Sequence, residues 1–159
     1  MNEGELFAAF RNHEHWIAEA MKEARQAGDK GEVPVGAVIV RDGTVIGRGH
    51  NQVESLKDPT AHAEILAIGA AAAHGDDWRL KDATLYVTLE PCTMCCGAIL
   101  LARVGRVVFG AADPRAGAVV SVGRLLDGNP YRHPVEVVGG ICSMECGEIL
   151  KEFFQSRRS

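Results

Sequence analysis

No stretch of the 159-residue sequence approaches the roughly 18 to 20 uninterrupted apolar residues that a membrane-spanning helix needs. The start, Met1-Asn2-Glu3-Gly4-Glu5, is acidic and unlike a secretory n-region. Both absences predict a cytoplasmic protein with no membrane partner. Cysteines are few and odd in number, five in all. That is a poor disulfide framework in a reducing compartment, and it turns local cysteine clusters toward metal or redox chemistry. Net positive charge is lacking too, and a formal charge of −4 argues against a generic polyanion binder. There is no internal repeat, linker or low-complexity tract. At this length, with 47% apolar residues, one domain with a full hydrophobic core is expected over 1–159.

The charge that is present is unevenly placed. Residues 1–100 carry nine Lys/Arg against fifteen Asp/Glu, and residues 101–159 carry eight against six. Any nucleic-acid surface is therefore expected to be local and C-terminal.

Apolar positions at helical spacing predict a first helix over 15–25, closed by the glycine-rich 27–31. The runs 35–41 and 44–50 flank Asp42-Gly43, a dipeptide favoured in type I′ turns, and predict a β-hairpin. Asp58 or Thr60 is expected to cap an alanine-rich helix that follows Pro59. A strand over 83–89 leads into Pro91 and a helix over 96–102. A fourth strand follows at 106–110, then an irregular segment to about 134, a short strand at 135–138 and a closing amphipathic helix over 144–154. Strands interleaved with helices imply an α/β fold, its mixed sheet covered on both faces, with sites where strands end and helices begin.

Two such junctions hold unusual residues. Three of the five cysteines fall in Thr88-Leu89-Glu90-Pro91-Cys92-Thr93-Met94-Cys95-Cys96. Cys92 and Cys95 have the two-residue gap that aims two sulfurs at one ion, and Pro91 stiffens the approach. The pattern is open to four readings: half of a structural zinc site, a thioredoxin-like redox pair, a catalytic zinc site with one further ligand, or buried small side chains. A structural zinc needs two more close ligands, and Cys142 and Cys146 have a wider gap better suited to one apolar helical face. The catalytic reading takes in the second junction. His62, Cys92 and Cys95 supply three protein ligands to a tetrahedral zinc, with Glu64 as the neighbouring acid or base. Cys96 competes with Cys95 for the ligand role or packs in the core. On a regular helix His62 and Glu64 would point to different sides, so they can share a site only where the helix start is irregular or the metal lies near its end.

His-x-Glu opening one helix and Pro-Cys-x-x-Cys opening the next is the pattern of the zinc-dependent nucleobase deaminases. The chain resembles the bacterial tRNA-specific adenosine deaminases of the cytidine deaminase-like superfamily. The likeness runs from about His13 to Arg158 and rests on five segments: 32–38 (Glu-Val-Pro-Val-Gly-Ala-Val), 58–65, 83–92, 103–111 and the ending Phe153-Phe154-Gln155-Ser156-Arg157-Arg158. It implies a three-layer α/β/α sandwich around a five-stranded mixed sheet, a homodimer with one Zn2+ per subunit, and hydrolytic conversion of the anticodon wobble adenosine of tRNA to inosine. Asn51 matches the asparagine that hydrogen-bonds the flipped purine, and Asp113 the aspartate that meets a ribose 2′-hydroxyl. Read without the resemblance, both are turn residues. Arg115, Arg132, Arg157 and Arg158 are the candidate phosphate contacts, or simply solvated charge. The chain departs from the family at Val119-Val120, where alanine and glycine are usual, and at Tyr131-Arg132-His133-Pro134, which replaces an Asn-His-Arg run. Those departures keep two rivals open: a deaminase of a free base or nucleoside such as guanine, and a non-catalytic zinc-supported RNA-binding subunit. The presence of Glu64 argues against the second.

Overall fold

A computed structural model describes residues 1–158. Five strands form one sheet: β1 (Gly36–Arg41), β2 (Thr44–His50), β3 (Thr84–Leu89), β4 (Arg106–Ala111) and β5 (Glu136–Val138). Their order is β2-β1-β3-β4-β5. β1 runs antiparallel to β2 and β3, while β3, β4 and β5 are parallel. Asp42 and Gly43 both have positive φ, 50° and 70°, as a type I′ hairpin turn requires.

Side chains alternate along the three central strands and so build two cores. Ala37, Ile39, Leu85, Val87, Val107 and Phe109 face one way. They pack with Ala63, Ala67 and Ala71 of α3 (Ala63–His74) and with Cys96, Ile99 and Leu100 of α4 (Thr93–Ala102). Val38, Val40, Tyr86 and Val108 face the other way, onto Ile17 and Met21 of α1 (Glu3–Asp29) and Cys146 of α5 (Ser143–Ser156). Burying each large apolar side chain stabilises the fold by about 1.5–3 kcal/mol. The three-layer α/β/α architecture implied by the resemblance is the one observed.

The first helix starts twelve residues earlier than its apolar periodicity suggests. Asn2 caps it in a capping box with Glu5, and Leu6, Phe7 and Phe10 remain exposed on its first turns. A short helix not foreseen, α2 (Val53–Leu56), follows the hairpin. Neither Asp58 nor Thr60 caps α3. Asp58 Oδ1 instead accepts from the Thr60 N–H and hydroxyl in a local turn, and the cap position falls to His62.

That shift positions the site. α3 lies against β2 because Gly49 has no side chain: a Cβ there would collide with the backbone carbonyl of Ala63 and come within 2.7 Å of Ala67 N. The start of α3 is thus brought to the C-terminal ends of the strands, beside the junction of β3 with α4. No described helix is long and apolar enough to cross a membrane.

Candidate active site

His62 and Cys92 occupy equivalent places, each the extended residue before a helix, with φ/ψ of −74°/153° and −79°/178°. Cys95 lies in the first turn of α4 and is fully buried. His62 Nδ1 is 3.7 Å from Cys92 Sγ and 3.6 Å from Cys95 Sγ. The three donor atoms lie within 4.8 Å of one another. Zinc–sulfur and zinc–nitrogen bonds of about 2.3 and 2.1 Å set tetrahedral sulfur and nitrogen ligands about 3.6 Å apart, so the donor set fits zinc in both chemistry and spacing. It is the only such group of three among the described residues.

Of the three donors, Cys92 is the one poised as a thiolate. Hydrogen bonds from Cys95 and His62 hold the Cys92 thiol down at about 3, while the Cys92 thiolate and burial push Cys95 up. The Cys92 hydrogen bond raises His62.

Glu64 is 4% exposed, and burial raises its carboxyl above the ordinary range. His62 precedes the helix in extended backbone whereas Glu64 lies in its first turn, so the two need not follow helical spacing. That removes the geometric conflict between residues two apart. Cys96 is buried with its sulfur 3.9 Å from the Pro91 carbonyl, and Cys146 is buried under Gly110, so both are packing residues. Cys142, expected with Cys146 on one apolar helical face, is instead the half-buried cap of α5 in the left-handed region.

A cavity of about 710 Å³ opens over this cluster, within the roughly 300–1,000 Å³ typical of small-molecule sites. Asn51 and Asp113 both border it. Each also performs turn chemistry. Asn51 donates from Nδ2 to the Val33 carbonyl and accepts the Val53 N–H, and Asp113 Oδ1 accepts the N–H groups of Arg115 and Ala116. Of the four candidate arginines, Arg157 reaches the cavity wall. It donates from Nη2 to the Gly31 carbonyl at 3.1 Å and lies over the Phe153 ring, so the end of α5 forms the rim. Arg115 is exposed on the loop beside Asp113. Arg158 is exposed and does not border the cavity. Arg132 is also exposed, in a turn whose neighbours Tyr131 and His133 contact Arg103 and Val104 just ahead of β4, at the opposite end of the parallel strands from the site.

Two functional-looking residues escaped the sequence reading. Glu32 is 1% exposed and accepts the N–H groups of Glu54 and Ser55 and the Ser55 hydroxyl, which tie α2 to one wall. Burial opposes its ionisation, but these bonds prevail and its carboxyl is lowered. Glu90 is 2% exposed on the opposite wall, and five donors meet its two oxygens. Burial again opposes ionisation, and hydrogen bonds led by the Ser121 hydroxyl hold Glu90 at about 2. Their one signal in sequence is acidity in apolar company: Glu32 precedes Val33-Pro34-Val35, and Glu90 ends the β3 run.

The family model of the MafB19-like deaminases matches residues 11–158. The chain belongs to that family. Among curated relatives, it is 49% identical over 145 residues to the tRNA-specific adenosine deaminase of Bacillus subtilis, covering 91% of this chain and 90% of the relative. A solved structure from a study of A-to-I editing by deaminases acting at the wobble position of transfer RNA superposes with a TM-score of 0.81 at 48% identity, covering 86% of this chain and 99% of the other. The guanine deaminase of Bacillus subtilis is 42% identical with a TM-score of 0.60, covering 63% of this chain and 64% of the other. As a family member the protein is a hydrolytic deaminase with a cytidine deaminase-like fold.

Proposed function

We propose that this deaminase converts adenosine to inosine at the wobble position of a tRNA anticodon loop, using one zinc ion per subunit held by His62, Cys92 and Cys95. One arrangement carries the reading: His62, Cys92 and Cys95 are spaced for zinc, and the first two line a cavity together with a buried carboxylate, Glu64. The relatives that match nearly the whole chain supply the substrate class.

Bound zinc supplies acidity, lowering the pKa of water from near 16 to about 7 so that hydroxide is available at neutral pH. Glu64 is the proton carrier. Its raised pKa suits a carboxyl that must take one proton from water and hand it to a ring nitrogen, then take the second from the hydroxyl on the attacked carbon and give it to the amino group that leaves as ammonia. Asn51 is the purine contact and Asp113 the ribose contact, both preset by the turns that hold them. The target base leaves its stack to enter the cavity. Arg157 at the rim is the best placed of the four arginines for a phosphate, with Arg115 beside the loop. Arg158 and Arg132 reach RNA only outside the cavity.

A homodimer is part of this reading, supported by the exposed apolar side chains Val120, Val122 and Leu125 in the segment that follows the Asp113 loop. A reducing cytoplasm, where five cysteines stay thiols, is the matching compartment. The likeness to a guanine deaminase favours a second reading, action on a free base. Zinc-loaded protein incubated side by side with full-length tRNA, an anticodon stem-loop and free guanine separates the two. Inosine at the wobble position is expected. Ammonia from guanine with no inosine in tRNA overturns the tRNA reading.

A further inference from the structure

Glu90 belongs to none of the roles above, yet few side chains in the molecule have as many partners. Its Oε1 accepts the Asp113 N–H at 3.0 Å and the Ser121 hydroxyl at 2.5 Å. Its Oε2 accepts the N–H groups of Val119, Val120 and Ser121 at 3.1, 2.9 and 2.9 Å. Among the described residues no cation is paired with it, so four backbone N–H dipoles and a hydroxyl balance the charge. The loop closes tightly around this acceptor. Gly117 lies so close that a Cβ there would overlap the carboxylate carbon of Glu90, and the Ala118 N–H donates to the Pro91 carbonyl at 2.9 Å. The loop gripped in this way carries Asp113 and Ala116 on the cavity wall.

We infer that Glu90 is a positioning residue for substrate binding, fixing the 113–121 loop so that Asp113 and Ala116 present a preformed wall to the substrate. A loop of nine residues with no strand of its own would otherwise have to be ordered when substrate arrives, at a cost in affinity. Glu90 comes two residues before Cys92 in the chain, but its hydrogen bonds go forward to the loop. Its removal should therefore be felt in binding and not in the chemical step. The use of an RNA substrate rests on the reading above; the hold on the loop does not.

Glu90→Gln tests this with almost no change in shape. The amide keeps one acceptor and turns the other into a donor. Turned one way, it faces the Asp113 N–H with an N–H; turned the other way, it faces three. Zinc content and thermal unfolding are measured first, then steady-state kinetics on an anticodon stem-loop, and hydrogen–deuterium exchange at Val119, Val120 and Ser121. The expected result is a KM raised about tenfold or more, a kcat within about twofold, an unchanged zinc content and exchange at those amides faster by about tenfold or more. Gly117→Ala disturbs the same contact with Glu90 intact and should show the same split. An unchanged KM with unchanged exchange in both variants overturns the proposal. So does a fall in kcat with KM constant, which would tie Glu90 to the metal side. If wild-type protein acts on guanine and not on the stem-loop, the tRNA reading fails separately. The KM comparison then moves to guanine, where a rise supports the role of Glu90 and no change overturns it.

Discussion

Replacing Glu32 by Gln should destabilise the protein at neutral pH and lose that effect in acid. The wild-type carboxylate, 1% exposed, accepts the Glu54 N–H at 2.9 Å, the Ser55 N–H at 2.7 Å and the Ser55 hydroxyl at 2.5 Å. Hydrogen bonds to a charged group contribute about 1.5–3 kcal/mol each, and a buried donor left without an acceptor costs about 1–3 kcal/mol. Glutamine with its oxygen toward Ser55 keeps two weakened bonds and sets its NH2 against the Glu54 N–H. The net loss is then about 2–4 kcal/mol, or roughly a 10 °C drop in Tm for a domain of this size. The folded-state pKa of Glu32 is below its ordinary value of 4.5. Its contribution is therefore fully present above pH 4.5 and disappears as pH falls through the lower folded-state value. Thermal unfolding of both proteins from pH 7 to pH 3 gives the comparison. A Tm gap that holds down to about pH 5 and then narrows is expected. Equal Tm values at pH 7, or a gap that does not narrow in acid, would refute the assignment of Glu32 as an ionised anchor of α2.

Glu64→Gln should retain zinc and lose activity by at least the 10² to 10⁴-fold typical of a general acid–base residue, measured as inosine formed at matched zinc content; wild-type activity would remove Glu64 from the mechanism. Cys95→Ala should bind little zinc after gel filtration, because one of three donors is gone, and a full equivalent of tightly held metal would make Cys96 the ligand instead. Gly49→Ala pushes the first turn of α3 off β2 and should cost about 1–3 kcal/mol of stability while weakening zinc binding through displacement of His62. Its failure to move either quantity would show that α3 is not seated by that contact. Ile17→Ala, in the core on the opposite face of the sheet, should cost about 2–5 kcal/mol in denaturant unfolding yet leave zinc content untouched.

The candidate metal ligands were legible in the sequence because each half of the set is local. Cys92 and Cys95 share a single turn, and His62 and Glu64 are separated by a helix start. Where the structure differs from the local expectation, the reason is the partner a side chain takes or the exposure of the segment. Asp58 has the chemistry of an N-cap, but it spends its carboxylate on Thr60 and leaves the cap to His62. Exposed Arg132 lies in a turn that packs against Arg103 and Val104, at the N-terminal end of β4 and away from the cavity. The extra turns of α1 were missed because an exposed helix start carries no buried stripe.

By itself the sequence determined the strand and helix alternation and the hairpin at Asp42-Gly43, because periodicity and spacing act within a few residues, and its motifs singled out His62, Cys92, Cys95 and Glu64 as candidates. Only the tertiary structure decided that the starts of α3 and α4 come close enough to gather those candidates, which arginine reaches the cavity, and what Glu32 and Glu90 do. The donors on Glu90 lie 23 to 31 residues further along the chain, and the parallel pairing of β3 with β4 brings them to it. A carboxylate written between leucine and proline reveals nothing of such partners until the sheet assembles.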